Sequence, residues 1–279
     1  MRLGAPVEGY HSGEEWAQMH VQLGYGAAYC PLTQQDGEAK IDEYLQAARA
    51  HDLVIAEVGI WNNLLDRDPE ARKANFRYAV GQLKLADRVG ARVCVNISGS
   101  HSARWDGPHP ENLTEKTFRE IVEITQRIID EAAPVNTYYA LEPMPWMYPC
   151  DAESYLRLIE CVNRDRFAVH VDMCNLVNGM EKVYHTGDMT RNFFKKLAPH
   201  IRSVHAKDTV LRDDLTFHIG EAIPGEGIFD YDALLAECAK LPDLPVMAEH
   251  LAAPEQYLKA TRFIRSRADA LGLSFTCAR

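Results

Sequence analysis

The sequence has 279 residues, of which 47% are hydrophobic and 25% charged, so it has enough apolar side chains for one large core and does not resemble a disordered chain. Its formal net charge of -10 disfavours binding to a nucleic-acid backbone, so we expect no nucleic-acid partner. The N-terminal residues lack the apolar stretch of a signal peptide, and no segment has the ~20 apolar residues of a membrane span. We therefore expect a cytoplasmic protein with no membrane partner.

Short apolar segments rich in β-branched residues recur along the chain and predict eight strands. In chain order they are residues 2–7, 25–30, 53–59, 92–98, 137–143, 167–173, 201–207 and 245–250. Most of them do not alternate cleanly between apolar and polar residues. This pattern is typical of a parallel sheet that is buried on both faces.

Longer segments with apolar residues at every third or fourth position separate these strands and predict amphipathic helices. Asp68 followed by Pro69 predicts a helix start, Gly90 predicts its end, and Asp151 predicts the start of another helix. Eight alternations of strand and helix predict an α/β fold, namely a (β/α)8 TIM barrel that forms a single domain over residues 1–279. The sequence has no GxGxxG or GxxxxGK[ST] motif, which disfavours an open nucleotide-binding sheet.

Acidic and histidine side chains end four consecutive predicted strands, the fifth to the eighth. They are Glu142, Asp172, His205 and Glu249. The carboxyl ends of barrel strands converge on one rim, so these side chains can meet although they are far apart in the sequence. A single acid in this position more often caps a helix or pairs with a cation, but four polar groups at the ends of buried strands would be costly without a shared partner. Three carboxylates and an imidazole predict one divalent metal ion, with Mn2+, Mg2+ or Co2+ favoured and Zn2+ as an alternative.

The segments around these residues resemble the sugar isomerase/epimerase superfamily of xylose-isomerase-like TIM barrels, and the resemblance covers essentially the whole chain. This superfamily includes ketose 3-epimerases, inosose dehydratase and endonuclease IV. The resemblance rests on LEPMPW at 141–146, HVDMCN at 170–175, SVHAKD at 203–208, PGEGIFDYDALL at 224–235 and AEH at 248–250.

The resemblance implies that Glu142 and Glu249 are both metal ligands and the catalytic acid/base pair, whereas Asp172 and His205 are ligands only. It favours Mn2+ as the single metal ion and a sugar isomerase or epimerase that transfers a proton through a metal-stabilised enediolate. The substrate would be a small ketose or keto-sugar. A homo-oligomer is compatible with the family.

Two departures from the family pattern concern the substrate wall. Asn175 stands where many relatives have the histidine of an Asp-x-x-His motif, and Trp146 lies where the epimerases often continue Glu-Pro-x-Asn-Arg. We interpret both residues as substrate-binding, and Trp146 could stack on a sugar ring as readily as pack in its loop.

Further substrate-binding candidates are Lys207, two residues beyond His205 on the same side of its strand, His101 after the fourth strand, and His218 in a long loop after the seventh. That loop contains several glycines and predicts a lid. We interpret His170 as a packed strand residue, and Glu57 has no assigned role.

Three alternative functions remain open beside the isomerase. A lyase or dehydratase of the same superfamily could act on a keto-sugar or cyclitol in the same site, with Lys207 or His101 as the acid. An endonuclease resembling endonuclease IV would need a three-zinc cluster with more ligands and a more basic surface. A non-catalytic binding protein is disfavoured because the four ligands are all present.

Overall fold

The strands of the computed structural model, which describes residues 1–279, include a parallel strand at each of the eight predicted positions. Ten strands occur in chain order: β1 (Arg2–Gly4), β2 (Ala27–Tyr29), β3 (Val54–Gly59), β4 (Val93–Asn96), β5 (Tyr139–Leu141), β6 (Phe167–Asp172), β7 (Ile201–Ala206), β8 (Asp208–Arg212), β9 (His218–Ala222) and β10 (Pro245–Ala248). The eight that form the parallel sheet are β1 to β7 and β10, in the order β1-β10-β7-β6-β5-β4-β3-β2. The predicted (β/α)8 barrel is confirmed.

The barrel closes between β1 and β2, the two strands at the ends of this order. The backbone N–H of Gly26 donates to the carbonyl oxygen of Leu3 at 2.9 Å across this seam. The C-terminal tail covers the seam, because Thr276 donates to Met1 and Ala278 donates to Tyr25 through backbone hydrogen bonds of 2.9 and 3.0 Å. A Cβ at Gly26 would lie 2.0 Å from the carbonyl oxygen of Thr276, so the close approach of the tail requires glycine there.

Nine α-helices surround the sheet or lie near its rims. They are α1 (Gly13–Gln22), α2 (Glu38–Ala50), α3 (Pro69–Val89), α4 (Glu115–Ala132), α5 (Ala152–Val162), α6 (Met180–Tyr184), α7 (Thr186–Leu197), α8 (Tyr231–Cys238) and α9 (Pro254–Ala270). The predicted boundary signals are confirmed, since Asp68 caps α3, Gly90 ends it with a φ of 68°, and Asp151 forms a capping box at α5. No helix is long and apolar enough to cross a membrane.

The main hydrophobic core comprises 57 buried residues. Inside the barrel, small residues leave space for Met247, whose Sδ would lie 2.6 Å from a Cβ at Gly4. Polar side chains also occupy the interior of the barrel. Alternate residues of a strand share a face, and Ser203 and His205, which alternate in β7, are both buried. The barrel therefore has a polar interior beneath one rim.

The segment after β7 differs from the predicted loop. It forms an antiparallel hairpin in which β8 pairs with β9 from Asp208–Ala222 to Arg212–His218. Asp208 fixes the chain that follows by accepting backbone N–H bonds from Gly225, Gly227 and Phe229 at 2.9–3.1 Å. Because β-branched residues occur on both arms, an extended conformation is favourable there. The glycines from which the sequence predicts a lid lie mainly after this hairpin.

Candidate metal centre and active site

The four predicted ligands meet at the carboxyl-terminal rim of the barrel, where Glu142 follows β5, Asp172 ends β6, His205 lies in β7 and Glu249 follows β10. One ligand atom from each lies within 4.8 Å of all the others. The Nδ1 atom of His205 is 3.2 Å from Glu249 Oε2, 3.5 Å from Glu142 Oε1 and 3.9 Å from Asp172 Oδ2. The parallel register explains the convergence, because Asp172 and His205 are direct neighbours across β6 and β7.

Three buried atoms of this cluster point to the same small region of the rim, namely Asp172 Oδ2, His205 Nδ1 and Glu249 Oε2. His205 Nδ1 has no hydrogen-bond partner, and the two carboxylate oxygens are balanced in part by the ammonium of Lys207 at 2.9 and 2.8 Å. A divalent cation could bind all three atoms, and three carboxylates with one imidazole are a donor set that such ions accept. The residues present therefore fit the metal ion that the sequence predicts.

Lys207 brings a positive charge into the same cluster. Its ammonium is 2.8 Å from Glu249 Oε2, 2.9 Å from Asp172 Oδ2 and 3.7 Å from Glu142 Oε1, and the side chain is only 6% exposed. Burial lowers the pKa of Lys207, but attraction to these carboxylates outweighs burial and holds the pKa well above its usual range. The lysine is therefore positively charged in the metal-free site.

The two candidate catalytic carboxyl groups have different affinities for a proton. Burial raises the pKa of Glu142 to about 7, although Lys207 opposes the shift. Burial also raises the pKa of Glu249, but the opposing effects of His205 and Lys207 are larger and bring the pKa below its usual value. Two neighbouring carboxyl groups with pKa values pushed apart are typical of an acid/base pair.

The other side of the His205 ring faces the barrel interior. Its Nε2 atom is 3.0 Å from Glu57 Oε1. His170 packs edge-on against the same ring, with 4.0 Å between the ring centroids, and its Nδ1 lies 2.6 Å from the hydroxyl of Ser203. Glu57, His170 and His205 thus form a second buried group that shares His205 with the ligand cluster.

A cavity of about 590 Å3 opens beside the ligand cluster. Its lining includes Trp146, Asn175, Glu221 and His250. The side-chain amide of Asn175 donates to Glu142 Oε1 at 2.9 Å, so this residue links the wall to the candidate catalytic carboxyl. The indole N–H of Trp146 donates to the carbonyl oxygen of Asp106 at 2.7 Å, which fixes the ring at the cavity wall.

The other three predicted substrate residues lie outside this lining, and one of them, Lys207, belongs to the ligand cluster instead. The Nε2 atom of His101 is 3.1 Å from the hydroxyl of Thr117, which holds the ring against the start of α4. His218 begins β9 and is exposed. The substrate-binding roles of His101 and His218 therefore stay predictions. The sequence places these residues after a strand and in a loop, but this does not determine where their side chains point.

A sequence model of the family described as "Xylose isomerase-like TIM barrel" matches residues 20–267. The chain belongs to this family. The match spans the ligand cluster, the hairpin and the cavity wall, so the candidate site lies within the matched residues.

Solved structures with very different activities share this fold. Endonuclease IV from Thermus thermophilus has a TM-score of 0.73 and 14% identity, over 97% of this chain and 100% of that chain. A probable 3-DHS dehydratase from Bacillus anthracis has a TM-score of 0.70 and 16% identity, over 97% and 98%. D-psicose 3-epimerase from Clostridium cellulolyticum has a TM-score of 0.63 and 14% identity, over 97% and 96%. No curated protein sequence matches the chain. These identities establish the fold alone.

The structure places further residues at the site that the sequence pattern does not identify. Glu221 of β9 reaches the rim, where its Oε2 is 2.6 Å from Nδ1 of His250. Arg104 lies beside Trp146, 5.9 Å from the ring centroid, and pairs with Asp106 at 2.8 Å. The available signal for His250 is its position directly after Glu249. Arg104 and Asp106 have no motif that could have identified them.

Proposed function

We propose that the protein is a divalent-metal-dependent isomerase or epimerase of a ketose or keto-sugar. The observation that carries this proposal is the cluster of Glu142, Asp172, His205 and Glu249, whose ligand atoms lie within 4.8 Å of one another beside a cavity of sugar size. Two of the four are carboxyl groups with separated pKa values, which are suited to proton exchange.

The same four residues would hold the metal ion, with Mn2+ as our first expectation and Mg2+, Co2+ or Zn2+ as alternatives. When bound, a divalent ion would supply Lewis acidity that polarises a substrate carbonyl and makes the neighbouring C–H more acidic. Asp172 and His205 would serve as ligands only, as the resemblance to the family implies.

Glu249 and Glu142 would exchange the proton. The low pKa of Glu249 keeps it ionised near neutral pH, so its carboxylate can remove the proton from the carbon beside the carbonyl. Glu142 would deliver a proton to the opposite face of that carbon, and the raised pKa that burial gives it in the metal-free site fits this role. The result is inversion at one carbon with no change in composition.

The cavity wall would hold the rest of the sugar. Trp146 offers an aromatic surface fixed by its indole hydrogen bond, and Asn175 positions Glu142 while presenting a polar group to the cavity. The hairpin contributes Glu221 and Phe217 to the lining, so it would contact a substrate held in this cavity. We propose a small-molecule partner rather than nucleic acid, since the net charge is -10.

A lyase that removes water from a keto-sugar or cyclitol is the second candidate, and the position of Lys207 favours it. Loss of a hydroxyl next to the enediolate requires an acid near the leaving oxygen. The buried ammonium of Lys207 lies beside both candidate catalytic carboxylates and could donate that proton.

The test is incubation of the Mn2+-loaded protein with a panel of ketoses and keto-sugars in D2O, followed by NMR and mass spectrometry. Deuterium at a carbon beside the carbonyl, in a substrate or epimer of unchanged skeleton, supports the isomerase. A product lighter by one water supports the lyase. No exchange and no elimination with any substrate, or no stoichiometric divalent ion, contradicts the proposal.

Glu249→Gln should abolish the exchange while leaving the fold intact, because Glu249 lies on the rim and not in the hydrophobic core; far-UV circular dichroism of the metal-free protein checks the fold. Glu226→Gln is the matched control, because Glu226 is a partly exposed glutamate paired with Lys259 at the surface. Wild-type exchange by Glu249→Gln would remove that residue from the mechanism.

A further inference from the structure

We propose that Glu57 is a positioning residue that selects the nitrogen of His205 with which the protein binds its metal ion. This inference rests on the proposed function, since it requires the metal centre to exist. It concerns a residue on the opposite side of the barrel from the ligand cluster, for which neither the sequence pattern nor the ligand geometry requires a role.

The contact joins two strands that face each other across the barrel. In the sheet order, β3 and β7 are separated by β4, β5 and β6 on one side. The Oε1 atom of Glu57 nevertheless lies 3.0 Å from Nε2 of His205, and both residues are only 1% exposed. A carboxylate in the interior of a barrel is unfavourable without a partner, and His205 provides that partner.

The chemistry follows from the two nitrogens of an imidazole ring. In the neutral ring one nitrogen carries the proton and the other has the lone pair that binds a metal. A proton on Nε2 can be donated to Glu57, which leaves the Nδ1 lone pair free. Nδ1 is the atom that faces the three carboxylates and has no hydrogen-bond partner. The carboxylate thus fixes both the tautomer and the orientation of the ring.

The carboxylate also increases the basicity of the ring. Hydrogen bonding to a carboxylate makes a ligating imidazole a better electron donor, and such partners typically change metal affinity by about 10–100-fold. Without Glu57, His205 would be free to carry its proton on Nδ1, where the proton would block the ligand position.

The geometry disfavours a second metal ion between Glu57, His170 and His205. Such an ion would need Nε2 of His205, while the first would need Nδ1 of the same ring. The ring of His170 instead packs edge-on against His205, and its Nδ1 is engaged by Ser203 at 2.6 Å. His170 therefore limits rotation of the His205 ring, and Glu57 defines its protonation.

The experiment measures Mn2+ affinity by electron paramagnetic resonance titration of the wild type, Glu57→Gln and Glu226→Gln. Glu57→Gln preserves side-chain size but removes the charge, so we expect about 10–100-fold weaker binding. Glu226→Gln makes the same change at a partly exposed glutamate that pairs with Lys259 at the surface, so we expect the affinity of the wild type. Glu57→Asp, which retracts the carboxylate from Nε2, should also weaken binding and serves if Glu57→Gln does not fold.

A second measurement reads the tautomer directly. In Zn2+-loaded wild-type protein, long-range 1H–15N NMR should show a single form of His205 with the proton on Nε2. In Glu57→Gln the fraction of molecules in this form should be lower. Wild-type affinity in both Glu57 variants, or a His205 proton on Nδ1 in the wild type, would overturn the inference. If the wild type itself binds no divalent ion, the proposed function fails as well, and the wild-type titration alone distinguishes this outcome.

Discussion

Lys207→Met should destabilise the metal-free protein strongly, because the ammonium is a buried counter-ion of three carboxylates. Its Nζ atom lies 2.8 Å from Glu249 Oε2, 2.9 Å from Asp172 Oδ2 and 3.7 Å from Glu142 Oε1. Methionine fills a similar volume without the charge. The substitution therefore leaves the three carboxylates to repel one another.

The size of the effect follows from these distances. At an effective dielectric constant of ~20, two unit charges 2.9 Å apart attract each other by about 6 kcal/mol, and the desolvation of the ammonium offsets part of this energy. Removing one partner of a buried ion pair typically costs about 3–5 kcal/mol. For a domain of this size, each kcal/mol lowers the Tm by about 2 °C, so we expect a loss of about 6–10 °C.

Thermal unfolding followed by circular dichroism, with EDTA and with excess Mn2+, measures this effect. Mn2+ should raise the Tm of Lys207→Met by more than that of the wild type, because the ion replaces the missing positive charge. Lys240→Met is the matched control, since Lys240 is an exposed lysine whose surface pair with Glu237 contributes about 1 kcal/mol or less. A metal-free Tm for Lys207→Met equal to that of the control, or equal stabilisation by Mn2+, would refute the reasoning.

Two further predictions concern the scaffold. Burial lowers the pKa of His20 to about 4. Between pH 6.5 and 4 the unfolded chain therefore binds a proton at this histidine that the folded protein does not bind. The free energy of unfolding is highest above pH 6.5 and decreases as the pH falls towards 4. The loss should reach roughly 3 kcal/mol, and urea unfolding of wild type against His20→Gln checks it; equal pH slopes would contradict the assignment. Asp208→Ala removes the acceptor of the backbone N–H groups of Gly225, Gly227 and Phe229, so hydrogen exchange at these amides should accelerate well before that of the barrel strands. Unchanged exchange at residues 225–229 would show that the loop is held by other contacts.

The sequence predicts the barrel and the convergence of the ligand cluster because both follow from strand periodicity. Buried parallel strands are apolar runs, so a polar residue that ends such a run is conspicuous, as at Asp172 in FAVHVD. Barrel geometry then brings the ends of consecutive strands together, which is why Glu142, Asp172, His205 and Glu249 are found close to one another.

The remaining site features depend on tertiary contacts that no local pattern encodes. Glu57 and His205 are separated by 148 positions and meet only because their strands face each other across the barrel. The hairpin brings Glu221 to the rim, whereas the loop pattern directs attention to His218, which is exposed. His101 follows a strand as expected, but its ring turns towards Thr117.

The tail that covers the seam between β1 and β2 joins residues that are far apart in the sequence. Strands β1 and β2 leave the ribosome before the tail, yet backbone hydrogen bonds from Thr276 and Ala278 reach Met1 and Tyr25 at their edge. During synthesis this edge would therefore lack these hydrogen bonds until residues 276–278 have been made, and exposed strand edges are where chains aggregate. Removing residues 273–279 should consequently lower the yield of soluble protein during expression more than it lowers the stability of molecules that have already folded.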